Sequence, residues 1–225
     1  MEADVISNLL RLPFFMGMSR EELQHVMAKT KMDFGKHCEG DVLAYAGEKC
    51  GKMLIVINGE VDIERQADGG LYKLSETLHA PVVIRPEGLF GRFQFFTSNV
   101  TARTPVSTIT IEKNEIQKLM ASSLIFRLNL LSFLSTSLQK CDYDIWQSSP
   151  SSLERRIINF FRRRCATPTG HKTFKIRMLD LADILNTSRL ETSQALNKLQ
   201  AAGLVKLSRG KVDIPSMQNL INCDM

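Results

Sequence analysis

The chain of 225 residues predicts an α+β fold: an amino-terminal β-roll or jelly roll, a long helix, and a small carboxyl-terminal unit of two helices and a hairpin. Three observations predict it. Between Lys31 and Ile111 short runs rich in valine, isoleucine and phenylalanine alternate with turn residues, the texture of many short strands. From about Ser122 to Ile145 apolar residues recur at three- and four-residue steps, which is helical spacing. Across 179–199 two helical patterns flank Asn186-Thr187-Ser188, and two strand patterns follow.

Taken in order, Ser19 and Glu22 form a capping box ahead of Leu23, Val26 and Met27, so a helix precedes the strands. Strand runs fall at 42–45, 53–57, 61–64, 72–74, 82–84 and 106–111. Asn58-Gly59 and Asp68-Gly69-Gly70 read as hairpin turns between neighbouring runs. The long helix carries Leu124, Leu128, Leu131, Leu134, Leu138, Cys141 and Ile145 on one stripe, with Arg127, Gln139 and Lys140 off it. At ~1.5 Å per residue that stripe is ~33 Å long, and it predicts a dimer seam rather than packing on its own barrel alone. Ser148-Ser149-Pro150-Ser151-Ser152 breaks the helix as a hinge, and a further helix over 153–164 opens the last part. The expected domains are 1–121 for the sensor roll, 122–147 for the dimerisation helix and 148–225 for the last unit.

In that last unit Leu181, Ile184 and Leu185 share a helix face, and Ala182 is small enough for a second helix to cross closely. Ser188 and Glu191 make a capping box for the second helix, which turns Thr192, Leu196 and Leu199 inward. Its outward edge is then Arg189, Ser193, Gln194 and Asn197. Arg189 can reach guanine O6 and N7, Gln194 can pair with adenine N6 and N7, and Leu190 can meet a thymine methyl. Ser188, Ser193, Asn197 and Lys198 suit phosphates. The strand patterns 204–207 and 211–214 flank Ser208-Arg209-Gly210, which places Lys206, Arg209 and Lys211 on a basic hairpin. This is the pattern of a winged helix-turn-helix, with double-stranded DNA as the expected partner. A plain helical hairpin with a solvated face would show the same two helices; the basic wing is what favours DNA.

The balance of 29 Lys and Arg against 24 Asp and Glu, net +5 with a sequence pI near 9.0, is compatible with a polyanionic partner. Arg155, Arg156, Arg162, Arg163, Arg164, Lys172, Lys175 and Arg177 crowd ahead of the two-helix pattern and are expected to form its basic field. Acidic Glu2 and Asp4 stand where a secretory signal would be basic, and no apolar run approaches spanning length, so a cytoplasmic protein without a membrane partner is expected. Five cysteines, Cys38, Cys50, Cys141, Cys165 and Cys223, contain no C-x-x-C pair, which predicts neither a disulfide framework nor a metal site. No nucleophile with a base, no paired-carboxylate motif and no phosphate-binding glycine loop points to an enzyme.

A roll, a long helix, a hinge and a winged helix-turn-helix in this order resemble the Crp/Fnr family of bacterial transcription regulators. The matching pieces are Phe14-Phe15 before Ser19-Arg20-Glu21-Glu22-Leu23, Glu39-Gly40-Asp41-Val42-Leu43, Ala46-Gly47-Glu48 and the run from Leu54 to Val61. Asp180-Leu181-Ala182, Ser188-Arg189, Ala195-Leu196-Asn197-Lys198-Leu199 and Gly203-Leu204-Val205 match in the last unit. The resemblance implies a homodimer on a palindromic site, a small-molecule effector in the roll, and RNA polymerase as a partner if the protein activates. The departures narrow this. Cyclic-nucleotide members carry a Gly-Glu step for the ribose and an Arg-Ser or Arg-Thr pair for the phosphate. Here Gly91-Arg92 takes the first place, the stretch from Gln94 to Val100 is short for a phosphate helix, and Arg103-Thr104 falls in the following strand. Cyclic AMP is therefore not expected.

An iron–sulfur cluster is not expected either, with only Cys38 and Cys50 in this half. Nor is haem: His25, His37 and His79 read as solvated or hydrogen-bonded, His79 before Pro81 being the first choice of axial ligand. Phe90, Phe93, Phe95 and Phe96 fill a core or line an apolar pocket. The residues leave the effector unknown. The best-known members begin the reading helix with Arg-Glu and place a second arginine further on; Leu190 and Gln194 replace the glutamate and that arginine, which implies altered half-site bases. A rival reading is a ligand-binding signalling module whose last helices contact protein.

Overall fold

The structure is a computed structural model that describes residues 2–146, 150 and 152–223, with the backbone alone for residues 2–4, 144 and 145. It divides into two compact units, Met1–Val61 with Leu78–Ile145, and Asp62–Thr77 with Trp146–Met225.

The first unit opens with α1 (Glu2–Leu10), a 3-10 turn at Pro13–Phe15, and α2 (Arg20–Lys29). The capping box of α2 closes as expected: Glu22 N donates to Ser19 Oγ at 3.1 Å and Ser19 N donates to Glu22 Oε2 at 2.7 Å. The strands before the next helix are β1 (Asp33–His37), β2 (Val42–Ala44), β3 (Lys52–Asn58), β4 (Glu60–Gln66), β5 (Tyr72–His79), β6 (Val82–Ile84), β7 (Asn99–Ala102) and β8 (Val106–Glu112), of which β4 and β5 fall mostly in the second unit. An antiparallel sheet runs β1-β8-β3-β6, and β2 pairs with β7. Met53, Leu54, Ile55, Val56 and Ile57 are all buried, which explains why β3 reads as a continuous apolar run rather than an alternating one.

Asn58-Gly59 does not close a hairpin. β3 and β4 are not neighbours, so the turn carries the chain from one sheet to the other. Gly59 is required there: its φ is +91°, and a Cβ would lie 2.6 Å from the Pro105 carbonyl oxygen. Asp68-Gly69-Gly70 does join sheet neighbours, β4 and β5. After β8, α3 (Lys113–Ser122) and α4 (Leu124–Trp146) meet at a bend of 116°, where Ser123 is extended and its hydroxyl accepts the Phe126 N–H. Phe126 and Leu130 enter a core with Leu9, Phe14, Phe15, Leu23, Ile55, Ile109, Ile111 and Ile116. Among the described residues no single helix is long and apolar enough to cross a membrane.

The second unit contains α5 (Leu153–Arg162), β9 (Lys172–Ile176), α6 (Met178–Ile184), α7 (Arg189–Ala201), β10 (Lys206–Ser208), β11 (Lys211–Ile214) and α8 (Met217–Ile221). Its sheet runs β10-β11-β9-β5-β4. The helices close over Phe161, Phe174, Leu181, Leu199, Ile214, Met217 and Leu220, and Leu74 of β5 joins the same core at 2% exposure. This division differs from the expected boundaries at 121 and 148. Residues 62–77 go with the carboxyl-terminal unit because β5 pairs with β9, and α4 goes with the first unit because its inner face completes that core. Most of the expected hinge, Ser148, Ser149 and Ser151, lies outside the described residues.

Candidate nucleic-acid interface

Arg177 precedes α6, and its Nε and Nη2 donate to the two carboxylate oxygens of Asp180 in the first turn, at 2.6 and 2.7 Å. Those bonds hold the Asp180 carboxyl below its ordinary range. Ala182, 2% exposed, lies on the buried side of α6 with Leu181, and Asn186 ends the helix in the left-handed region at φ +48°. Ser188 then starts α7. Its hydroxyl accepts the Glu191 N–H at 3.2 Å, while Glu191 Oε2 accepts from the Ser188 N–H at 3.0 Å, the Ser188 hydroxyl at 2.7 Å and the Thr187 hydroxyl at 2.8 Å. With the Ser188 bonds first in weight, these donors hold Glu191 at about 2.

Thr192, Leu196 and Leu199 point inward at 0, 1 and 0% exposure. That leaves Ser188, Arg189, Leu190, Gln194 and Asn197 exposed along one edge, with Ser193 half-buried. Lys198 is turned elsewhere: Nζ donates to Glu154 Oε1 at 2.8 Å, and this bond lowers the Glu154 carboxyl. A phosphate would have to compete with that carboxylate.

Lys206 and Arg209 are exposed on the wing, where Gly210 turns the hairpin at φ +69°. Lys211 Nζ lies 3.3 Å from Asp213 Oδ1, which also accepts from the Thr173 hydroxyl at 2.7 Å and lies 3.0 Å from His171 Nε2. Burial opposes the charge on Asp213, yet these donors outweigh it and hold the carboxyl at about 2. The Leu207 N–H donates to Gln200 Oε1 at 2.8 Å and so ties the wing to α7.

The basic field expected ahead of the motif is largely structural instead. Arg155 donates to the Ile221 and Cys223 carbonyls, and Arg156 to the Leu185 carbonyl. Arg164 bonds the Tyr72 hydroxyl at 2.8 Å with its guanidinium 3.8 Å from the Phe160 ring centroid, and Lys172 is fully buried against Glu76. Arginine serves here because its fork of donors satisfies carbonyls at helix and chain ends. Lys175 stays exposed.

On α4 the expected seam divides. Leu124, Leu128, Leu131 and Leu138 are 58, 52, 50 and 72% exposed, and Cys141 is exposed. Leu134 is half-buried against the first unit's own core, and the side chain of Ile145 lies outside the described residues.

In the roll Arg92 is exposed, its guanidinium 5.8 Å from the Phe93 ring centroid, and the only carboxylate between Ile84 and Val100 is the exposed Glu87. A ribose diol finds no buried carboxylate in that stretch, so the residues present do not fit a cyclic nucleotide held in the family's manner. Arg85, which sequence reasoning passed over, has φ +46°, donates to the Thr97 hydroxyl, and buries an unpartnered Nε. Of the four phenylalanines only Phe96 is fully buried; Phe93 and Phe95 meet edge to face at the surface, 6.1 Å apart. His37 Nε2 lies 3.1 Å from the Thr108 hydroxyl and His79 Nδ1 3.1 Å from Glu60. Burial, then the charge of Glu76, pushes the Cys165 thiol up to about 12, far from a reactive thiolate. No group of three metal-ligating side chains occurs among the described residues.

Residues 36–123 match a cyclic nucleotide-binding domain, and residues 155–223 a Crp-like helix-turn-helix domain. A cyclic AMP receptor protein of Thermus thermophilus is 25% identical over 210 residues, covering 90% of this chain and 92% of its own. A CRP-like cAMP-activated global transcriptional regulator of Mycobacterium tuberculosis is 22% identical over 227 residues, covering 94% and 96%. Among solved structures, the Thermus thermophilus catabolite activator protein aligns over 93% of this chain and 98% of its own, at 20% identity and a TM-score of 0.53. The sensor domain of the regulator DNR of Pseudomonas aeruginosa aligns over 67% and 100%, at 21% and 0.53. The two matched domains in this order, on a chain with a capped reading helix and a basic wing, make it a member of the Crp/Fnr family of transcription regulators, which are DNA-binding proteins and not enzymes.

Proposed function

We propose that the protein is a homodimeric regulator that reads a two-fold symmetric DNA site through α7 and grips the flanking backbone with the wing. The observation that carries this is the exposed edge of α7. Arg189, Leu190, Gln194 and Asn197 face solvent while the opposite face is sealed in the core. Two copies place their reading helices in successive major grooves ~34 Å apart. Ser193 and Asn197 meet phosphates as neutral donors, and Lys198 does so after leaving Glu154; Ser188, expected among them, gives both its hydroxyl hydrogen and its N–H to Glu191 and serves the cap instead. The leucines of α4 supply the seam. An activator role would add RNA polymerase as a partner.

Selection of bound sequences from a random duplex library, followed by salt titration, tests the reading. The expected product is a palindrome whose half-site differs from the familiar family sequence where Leu190 and Gln194 reach. Lys206, Arg209 and Lys211 on both protomers give a slope of log affinity against log salt of about −5. A salt-independent affinity, or a site without two-fold symmetry, overturns it.

Cyclic AMP activates or names the two relatives above, but Arg92 stands here where a carboxylate would hold the ribose. We infer that cyclic AMP is not this chain's effector. Calorimetric titration should show no binding at millimolar nucleotide, and a nucleotide-dependent rise in DNA affinity would refute the inference.

A further inference from the structure

β5 precedes the DNA-reading motif by about a hundred residues, yet it is built into the same sheet. It pairs antiparallel with β9, placing Tyr72 opposite Ile176, Leu74 opposite Phe174 and Glu76 opposite Lys172. The helices and β11 already give β9 a partner and a core, so β5 is an addition to a sheet that has the parts of a winged helix without it. Three contacts hold the added strand. Leu74 is 2% exposed in the core. The Tyr72 ring meets Phe160 edge-on at 5.5 Å while its hydroxyl accepts from Arg164. Glu76 accepts from Lys172 Nζ at 2.7 Å and from the Ala166 N–H at 2.9 and 3.1 Å.

The last contact makes docking all-or-none. The side chains of Lys172 and Glu76 are 0% and 3% exposed, so either charge left in place without the other is strongly unfavourable. A fully released strand returns both charges to water, and only the half-docked state pays the penalty. The hairpin's base is anchored in the first unit: Glu60 lies 3.1 Å from His79 Nδ1 and 3.6 Å from Arg103 Nε, and the Ala80 N–H donates to the Gly59 carbonyl at 3.0 Å. A two-state strand is thus covalently fixed to the unit that carries the effector domain, and its other end completes the unit that carries α7.

We propose that residues 72–76 form a detachable strand of the DNA-binding unit, and that its docking through Glu76 and Lys172 is the switch by which the first unit alters DNA affinity. The proposal rests on the DNA-binding reading above. Tyr72, Leu74 and Glu76 are positioning residues and touch no base.

The test uses the full chain and the variants E76Q, K172M and E76Q/K172M. E76Q keeps an acceptor for Ala166 but leaves Lys172, whose Nζ also donates to the Thr167 hydroxyl at 2.9 Å, buried without its counter-charge, K172M leaves the glutamate charge without its partner, and the double variant leaves no buried charge. Hydrogen exchange across residues 172–176 and affinity for the selected duplex are read together. Each single variant should exchange at least about a hundredfold faster in β9 while α5 and α7 stay protected. Both should shift DNA affinity at least about fivefold in the same direction, and the double variant should restore both readouts. Unchanged β9 exchange in the single variants overturns the proposal. So does fast exchange with unaltered DNA affinity, or loss of α7 protection together with β9, which would make the strand ordinary core. A wild-type chain that selects no duplex overturns the DNA reading and the coupling with it, while the exchange data alone still decide whether the strand docks as a two-state element.

Discussion

Leu190 stands 68% exposed in the first turn of the reading helix, beside an arginine and two residues before a fully buried threonine. A large apolar side chain in that place gains nothing from folding, and a thymine methyl in the major groove is the apolar surface that would cover it. Leu190→Glu should move the preference at that base toward cytosine, whose amino group offers a donor, and sequence selection with the variant checks it. Arg189 and Arg209 separate the two kinds of contact. Arg189→Ala should cost about 1–3 kcal/mol on the selected site and little on random duplex, relaxing one position in each half. Arg209→Ala should weaken every sequence alike and lower the salt slope by about two for the dimer. Equal losses on all duplexes for both variants would show that Arg189 reads phosphate rather than base.

Helix α7 begins at a capping box whose acid is held at about 2 from an ordinary 4.5, chiefly by the Ser188 hydroxyl and N–H. A carboxyl depressed in the folded state stabilises it fully above the unfolded value, and that contribution is lost as pH falls through the folded one. Wild-type protein should therefore lose more melting temperature between pH 5 and 2.5 than Glu191→Gln does, and an identical loss would deny the box a role in stability. Ser188→Ala should cost about 1 kcal/mol near neutral pH and less as pH falls toward 2, where Glu191 is protonated, measured by denaturant unfolding. This box, the inward triad Thr192, Leu196 and Leu199, and the wing were legible in the sequence because each follows from neighbours within a few residues. β1 and β9 were not. Asp33-Phe34-Gly35-Lys36-His37 gives no alternation, and Gly35 is explained only by its partner strand, since a Cβ would sit 2.6 Å from Thr108 Oγ1. Lys172 read as surface charge because the carboxylate that buries it comes from 96 residues earlier. Asn58-Gly59 misled for the same reason: an Asn-Gly pair reports a sharp turn, but whether the flanking strands then pair is decided by sheets formed far away in sequence.

At the scale of the whole molecule, α4 has two apolar faces and the single chain uses one. Phe126 and Leu130 are in the core, and on the other side Leu124, Leu131 and Leu138 recur every seven residues, half or more exposed, with Leu128 alongside. A heptad of exposed leucines is the pattern that a second helix covers with knobs in holes, and each leucine, already partly covered in the single chain, contributes about 1–2 kcal/mol when so buried. Charge on that face should separate the copies without unfolding them, because these side chains give the monomer's core little. The wild type should sediment as a dimer and the Leu131→Lys/Leu138→Lys variant as a monomer at the same concentration, with the variant's melting temperature changed only by the lost association. DNA then reports what dimerisation contributes. Joining two reading helices makes the second binding event intramolecular, so the variant should bind an isolated half-site as the wild-type protomer does and lose about 10²–10⁴-fold on the full palindrome. A variant that stays dimeric would place the seam elsewhere. A monomeric variant with undiminished affinity for the palindrome would show that each α7 binds its half-site on its own account, and the leucine face of α4 would then need another partner to cover it.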